Sequence, residues 1–182
     1  MSSNLEKLDL VPPDKVKGFF GSYYPPPELA SHFINNKLEE IYSVKRVHII
    51  VNPFAGKKNG NKIANLISQE LQELKIDSIT YTTEYANHAE KIVSDISFET
   101  GDSLMSVGGD GTISEIITGL LKRKDSSSDN VPLSIVPSGS GNSQANDMEV
   151  ADYLDAMQRM TVGNLRKMDV GKVTFMVDGK EK

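Results

Sequence analysis

The chain has 182 residues, 38% of them hydrophobic and 25% charged, the make-up of one globular domain with a proper core. A formal net charge of −5 argues against a generic nucleic-acid binder, and the lack of cysteine excludes disulfides, zinc-thiolate sites and cysteine nucleophiles. No apolar run reaches the length of a membrane span and the N-terminus carries no signal-peptide pattern, so a cytoplasmic protein is expected, with any membrane contact peripheral.

Residues 1–44 read as a partly irregular extension. Pro12-Pro13 and Pro25-Pro26-Pro27 interrupt any long element. A weak helix is expected from Glu28, with Leu29, Phe33, Leu38 and Ile41 on one side. The aromatic cluster Phe19, Phe20, Tyr23 and Tyr24 is expected to pack back onto its own domain.

From Lys45 the pattern changes. Val47 to Val51 is a β-branched run suited to a central parallel strand, and His48 within it reads as a core or edge residue rather than a ligand. Asn52-Pro53 stops the strand. Gly56, Lys57 and Lys58 open a loop of phosphate-binding type, although no Gly-Lys-Ser/Thr follows at Walker A spacing. Ile63, Leu66, Ile67, Leu71 and Leu74 then mark one face of a helix. Ile76 to Tyr81 is the next strand, followed by Thr82 to Ala89 and a helix carrying Ile92, Val93 and Ile96.

Leu104 to Val107 reads as a buried strand that breaks into Gly108, Gly109, Asp110 and Gly111. Ile113, Ile116, Ile117, Leu120 and Leu121 follow at helical spacing. Thr112 stands where an N-cap belongs, and Glu115 three residues on completes a capping box. The three glycines are expected to take positive φ and to let a ligand approach the backbone. Free N–H groups at such a turn form an anion site. Asp110 inside it is unusual, because a carboxylate beside phosphate needs either a bridging cation or a group about to lose a proton. Both answers are phosphoryl-transfer chemistry; the alternative is a glycine-rich turn that merely joins a strand to a helix, with Asp110 as a turn residue.

Lys122 to Asn130 reads as a solvated polar loop. Leu133 to Val136 is another buried strand, closed by Pro137-Ser138-Gly139-Ser140-Gly141-Asn142. Gly139-Ser140-Gly141 begins a dinucleotide fingerprint but lacks its third glycine and acidic partner, which argues against a hydride-transfer cofactor. A short helix from Val150 should bury Tyr153, Leu154, Met157 and Met160, and Met168 to Val177 reads as a further strand before a polar end. Alternating strands and helices imply an α/β fold with a parallel sheet and right-handed crossovers. Ligands of such sheets bind at the carboxyl ends of the strands, where the Asn52, Thr83 and Asp110 loops all emerge.

Val51-Asn52-Pro53-Phe54-Ala55-Gly56-Lys57, Gly108-Gly109-Asp110-Gly111-Thr112 and Pro137-Ser138-Gly139-Ser140-Gly141-Asn142 resemble, in order and spacing, the nucleotide-binding motifs of the diacylglycerol kinase catalytic domain superfamily. Thr83-Glu84-x-x-Asn87-His88-Ala89 and the Gly-Ser-Gly-Asn form of the third motif look most like the sphingosine, or long-chain-base, kinases. The Gly-Gly-Asp-Gly-Thr element alone also occurs in NAD kinases and related phosphofructokinases.

The resemblance covers residues 45–177 and implies a three-layer nucleotide-binding lobe. It implies a lipid kinase that uses ATP and Mg²⁺ to phosphorylate a lipid hydroxyl, on a sphingoid base or on diacylglycerol, with no nucleic-acid partner. In that likeness Asn52, Pro53, Gly56 and Lys57 would hold phosphate and Thr83 would touch the nucleotide. Gly108, Gly109, Gly111 and Thr112 would line the phosphates, while Ser138, Gly139, Ser140, Gly141 and Asn142 would close the pocket. Asp110 would be the catalytic acid residue, acting as general base or through Mg²⁺. Members of the superfamily continue into a β-sandwich lobe that supplies much of the lipid pocket. This sequence ends where that lobe should begin, with 178–182 as a short tail, so the nucleotide lobe alone is expected, with a non-catalytic nucleotide-binding module as the alternative to a lipid kinase.

Overall fold

A computed structural model describes residues 42–125 and 131–163 and, beyond them, Leu165, Met168, Val170, Gly171, Val173, Met176, Val177, Lys180 and Glu181. The expected helix from Glu28, the aromatic cluster at 19–24 and the serines of the 122–130 loop lie outside the described residues. Four strands, β1 (Arg46–Val51), β2 (Asp77–Thr82), β3 (Asp102–Gly108) and β4 (Leu133–Pro137), form one sheet in the order β2-β1-β3-β4. Every pairing in it is parallel. The helices are α1 (Gly60–Glu73), α2 (His88–Asp95), α3 (Asp110–Lys122), α4 (Ser143–Asp147) and α5 (Tyr153–Val162).

The β-branched run places β1 in the middle, with Ile49 paired to Thr80 on one side and Met105 on the other. Successive strand residues face opposite sides. Val47, Ile49, Val51, Met105 and Val107 join Ile67 and Leu71 of α1 and Met157 and Met160 of α5 in one buried cluster. Ile50 and Leu104 face the other way, onto Ala89 and Val93 of α2 and Ile116 and Leu120 of α3. The result is helix, sheet, helix in three layers. Each fully buried Ile or Leu contributes about 1.5–3 kcal/mol, which makes this two-sided burial the main support of the sheet.

Several sequence expectations need correction. Leu74, Leu121 and Leu154 were placed on buried helix faces but are 53%, 54% and 51% exposed. Leu74 lies past the last turn of α1. Leu154 is in the first turn of α5, whose buried stripe runs through Ala156, Met157 and Met160 instead. No single strand spans 168–177: Met168, Val170, Gly171 and Val173 carry no regular structure, and Val173 is 81% exposed. Among the described residues of this stretch, Met176–Val177 (β5) is extended, paired antiparallel with Lys180–Glu181 (β6) in the part read as a plain polar end.

At the amino ends of the strands, Asp102 is buried and gathers a polar network. Arg46 donates to both of its oxygens, through Nε (2.9 Å) and a terminal nitrogen (3.0 Å), and the Glu99 backbone N–H donates at 2.8 Å. His48 Nε2 lies 3.1 Å from Asp102 and its Nδ1 lies 3.2 Å from the Tyr81 hydroxyl. Burial alone would raise the Asp102 carboxyl, but the bonds from Arg46, Glu99 and His48 outweigh it and hold the group below the usual carboxylate range. Ionised Asp102 only accepts, so His48 Nε2–H donates to it and Nδ1 takes the Tyr81 O–H. His48 is a satisfied core residue, as its place in the strand implied.

Candidate active site

Three of the four strands, β1, β2 and β4, run one residue past their ends in ladder bonding. Asn52 N–H donates to Val107 O (3.0 Å), Thr83 N–H to Val51 O (2.8 Å) and Ser138 N–H to Gly108 O (3.0 Å). The loops beginning at Asn52, Thr83, Gly109 and Ser138 therefore start level, at the carboxyl edge of the sheet. Segments from four parts of the chain meet along one rim.

Backbones there touch directly. Gly56 has φ +49, and a Cβ on it would lie 2.5 Å from Ser138 O and 2.9 Å from the Gly139 carbonyl carbon. A Cβ on Gly139 would run into the Gly109 Cα, and one on Gly108 into the Thr112 side chain. Gly111 has open space around its Cα. Gly108, Gly109 and Gly111 do not take the positive φ expected of them; the residues with positive φ at this rim are Gly56, Lys58, Asn87 and Asn142. Of the three motif glycines, Gly109 is needed for close backbone passage beside Gly139 and Gly108 for room beside the Thr112 side chain, and neither for handedness.

The helix also begins earlier than the sequence implied. Gly109 is the extended N-cap and Asp110 the first residue of α3, so Thr112 lies inside the first turn and caps nothing. Thr112 instead accepts from Asn52 Nδ2 (3.3 Å), which ties the first loop to α3. Glu115 makes no capping box. Its two oxygens accept the backbone N–H groups of Asn87 (2.9 Å) and Ala89 (3.1 Å), at the start of α2.

Asp110 reaches across to the fourth loop. Its carboxylate accepts from Ser143 N–H (3.0 Å) and Gln144 N–H (3.1 Å), capping α4. These bonds, Gln144 first and Ser143 next, hold its carboxyl below the ordinary value. Asn142, at φ 55, folds its side chain back so that Oδ1 accepts from Gly139 N–H (2.8 Å) and Nδ2 donates to Gly139 O (3.0 Å). Ser138 Oγ in this loop and Gln144 Oε1 in α4 are buried with no hydrogen-bond partner among the described residues.

A recess of about 290 Å³ opens between the first two loops and α3, lined by Asn52, Phe54, Thr83, Tyr85, Thr112 and Glu115 among others. Phe54 is 68% and Tyr85 56% exposed, so two aromatic rings border it. Tyr85 stacks on His88 at 4.2 Å, and His88 Nδ1 accepts the Glu84 backbone N–H (3.0 Å), which fixes the turn. Lys57 and Lys58 are exposed in the first loop. A larger recess of about 440 Å³ lies around Arg46, His48 and Tyr81, away from every motif residue, and its polar groups already satisfy one another.

Among the described residues no three His, Cys, Asp or Glu side chains cluster as a ready metal site. Asp110 still fits Mg²⁺, because each oxygen spends one acceptor position on α4, and Mg²⁺ is usually bound by one or two carboxylates together with phosphate and water. Sequence reasoning singled out Asn52, Thr83, Asp110, Thr112 and the Ser138–Asn142 loop, and the fold brings all of them to one rim. It did not single out Tyr85, Ser143 or Gln144, and it gave Glu115 to the wrong helix.

The rim coincides with a family match. Residues 46–173 match the model of the diacylglycerol kinase catalytic domain, and the chain belongs to that family. It is similar to sphingosine kinase B of Dictyostelium discoideum, at 29% identity over 143 residues, which is 78% of this chain and 19% of that protein. It is also similar to a diacylglycerol kinase of Bacillus subtilis (strain 168), at 29% identity over 71% of this chain and 42% of that one. The crystal structure of a diacylglycerol kinase from Bacillus anthracis str. Sterne superposes with a TM-score of 0.54 at 25% identity, covering 64% of this chain and 42% of that one. The chain thus spans less than half the length of these relatives.

Proposed function

We propose that residues 45–177 form the ATP-binding lobe of a lipid kinase that transfers the γ-phosphate to a lipid hydroxyl, with a sphingoid base as acceptor. The observation that carries this reading is the meeting of four motif loops at the carboxyl edge of one parallel sheet, tied to the first turns of α3. Family membership supports the reaction class. The Thr83–Ala89 motif and the match to a sphingosine kinase over 78% of this chain support the acceptor.

In this reading the base enters the recess beside Phe54 and Tyr85, whose exposed rings offer it apolar faces. The phosphates lie along Gly108, Gly109 and Gly111 and meet Asn52, Pro53, Gly56, Lys57 and Thr112, while Ser138, Gly139, Ser140, Gly141 and Asn142 close the far side. Thr83 borders the ribose end. Mg²⁺ held by Asp110 and phosphate oxygens would neutralise charge on the transferring group. Asp110 serves as an ionised, oriented group: a carboxyl held this low is a weak proton acceptor, so positioning and charge supply most of its effect. The lipid acceptor makes the site work at a membrane surface, approached peripherally from the cytoplasm. Among the described residues no helix is long and apolar enough to cross a membrane.

The test is transfer of label from γ-³²P-ATP to sphingosine or to diacylglycerol in mixed micelles. Label in sphingosine supports the proposal. Label in diacylglycerol alone moves the acceptor, a reading favoured by the Bacillus relative and the superposed structure. Nucleotide bound with neither lipid labelled would leave a nucleotide-binding module.

A further inference from the structure

We propose that Glu115 is a positioning residue that holds the second nucleotide loop, residues 83–89, in its binding shape; this rests on the function proposed above. α2 begins at His88, and its N-cap, Asn87, sits at φ 66 and makes no side-chain cap of its own. The orphan N–H groups of that first turn need acceptors. Glu115 supplies them from a different helix, with Oε1 on Asn87 N–H and Oε2 on Ala89 N–H. A negative group there also suits the positive end of the α2 dipole.

The same carboxylate borders the recess, beside Thr83 and Thr112. Three residues of α3 thereby hold three separate loops. Thr112 takes Asn52 in the first, Glu115 takes Asn87 and Ala89 in the second, and Asp110 takes Ser143 and Gln144 in the last. Docking of α2 on α3 does not depend on Glu115. It rests on Gly119, where a Cβ would lie 2.6 Å from Glu90 O, and on Ala89, Val93, Ile116 and Leu120 in the shared core. Loss of Glu115 should therefore loosen the loop and leave the helices packed.

Glu115→Gln keeps the size but turns one acceptor into an N–H₂ donor facing a backbone N–H. The full chain, its Glu115→Gln and Glu115→Asp variants and a Glu90→Gln control are titrated with Mg·ATP by calorimetry, and amide exchange is read at Asn87 and Ala89. Glu90 pairs with Lys122 across the same two helices at 2.5 Å without touching the loop amides, which makes it the control for helix docking. The expected result is about tenfold weaker binding for Glu115→Gln with faster exchange at both amides, a smaller loss for Glu115→Asp and no change for Glu90→Gln. Equal affinity in wild type and Glu115→Gln overturns the proposal. So does loss of the fold in both Glu115 variants, which would make Glu115 a core support. No binding by the wild type removes the kinase reading, and the positioning role falls with it.

Discussion

Gly109 and Gly139, 30 positions apart in the sequence, pass in direct backbone contact, so that a side chain on Gly139 has nowhere to go but into the Gly109 Cα. Both partners are backbone, and neither can yield as a flexible side chain would. Gly139→Ala must therefore separate the third and fourth strand-end loops. The expected cost is about 1–3 kcal/mol in urea unfolding, together with loss of ATP binding.

Gly111→Ala should behave in the opposite way. Nothing lies within 4 Å of the added Cβ, and Gly111 sits inside the first turn of α3. Alanine there should raise stability by up to about 1 kcal/mol. If phosphate lies over this turn, the same methyl weakens nucleotide binding. A variant with higher Tm and poorer ATP affinity is the expected pair of readings.

Asp110→Asn should abolish transfer while weakening ATP binding by less than about tenfold. It should also cost about 1 kcal/mol, because one of the two N–H groups of α4 then faces an amide N–H₂. Steady-state transfer and calorimetry on the same preparation separate the two effects. Full transfer in the variant would remove Asp110 from the chemistry.

The Asp102 network sets an acid limit on the fold. Its carboxyl lies below the usual value in the folded state, so the unfolded chain binds the proton more readily. That stability is fully present above the unfolded value of about 3.9 and drains away as pH falls through the folded one. Asp102→Asn should lower stability near neutral pH, since it removes the charged acceptor of Arg46 and leaves that guanidinium with only the exposed Glu99 as ion-pair partner among the described residues. The variant should also show a flatter loss of stability in denaturant titrations as pH falls below the unfolded carboxyl value of about 3.9.

The strands were legible because short apolar runs, β-branched in β1, that break into glycine or Asn-Pro turns have few other uses in a chain of this composition. The rim was legible because Asn52, Thr83, Asp110 and Ser138 each follow such a run, and parallel pairing then brings their loops to one edge. What was not legible depended on partners remote in sequence. Thr112 and Glu115 carry the spacing of a capping box, yet local spacing is silent about Asn52 and Asn87, which take their side chains instead. The alternation of Val173, Phe175 and Val177 suggested a strand, but alternation supplies no neighbour to pair with, and Val173 is exposed. Positive φ was the wrong expectation for Gly108, Gly109 and Gly111: at Gly109 and Gly139 contact between loops, invisible in a single motif, is what excludes a Cβ.

The central claim is that the four strand-end loops bind one triphosphate. Amide shift mapping of the full chain with Mg·ATP tests it most directly. The account predicts perturbations at 52–60, 83–89, 108–112 and 138–144, with Arg46, His48 and Tyr81 unmoved. Shifts confined to the recess around those three residues, or no shifts at saturating nucleotide, would contradict it.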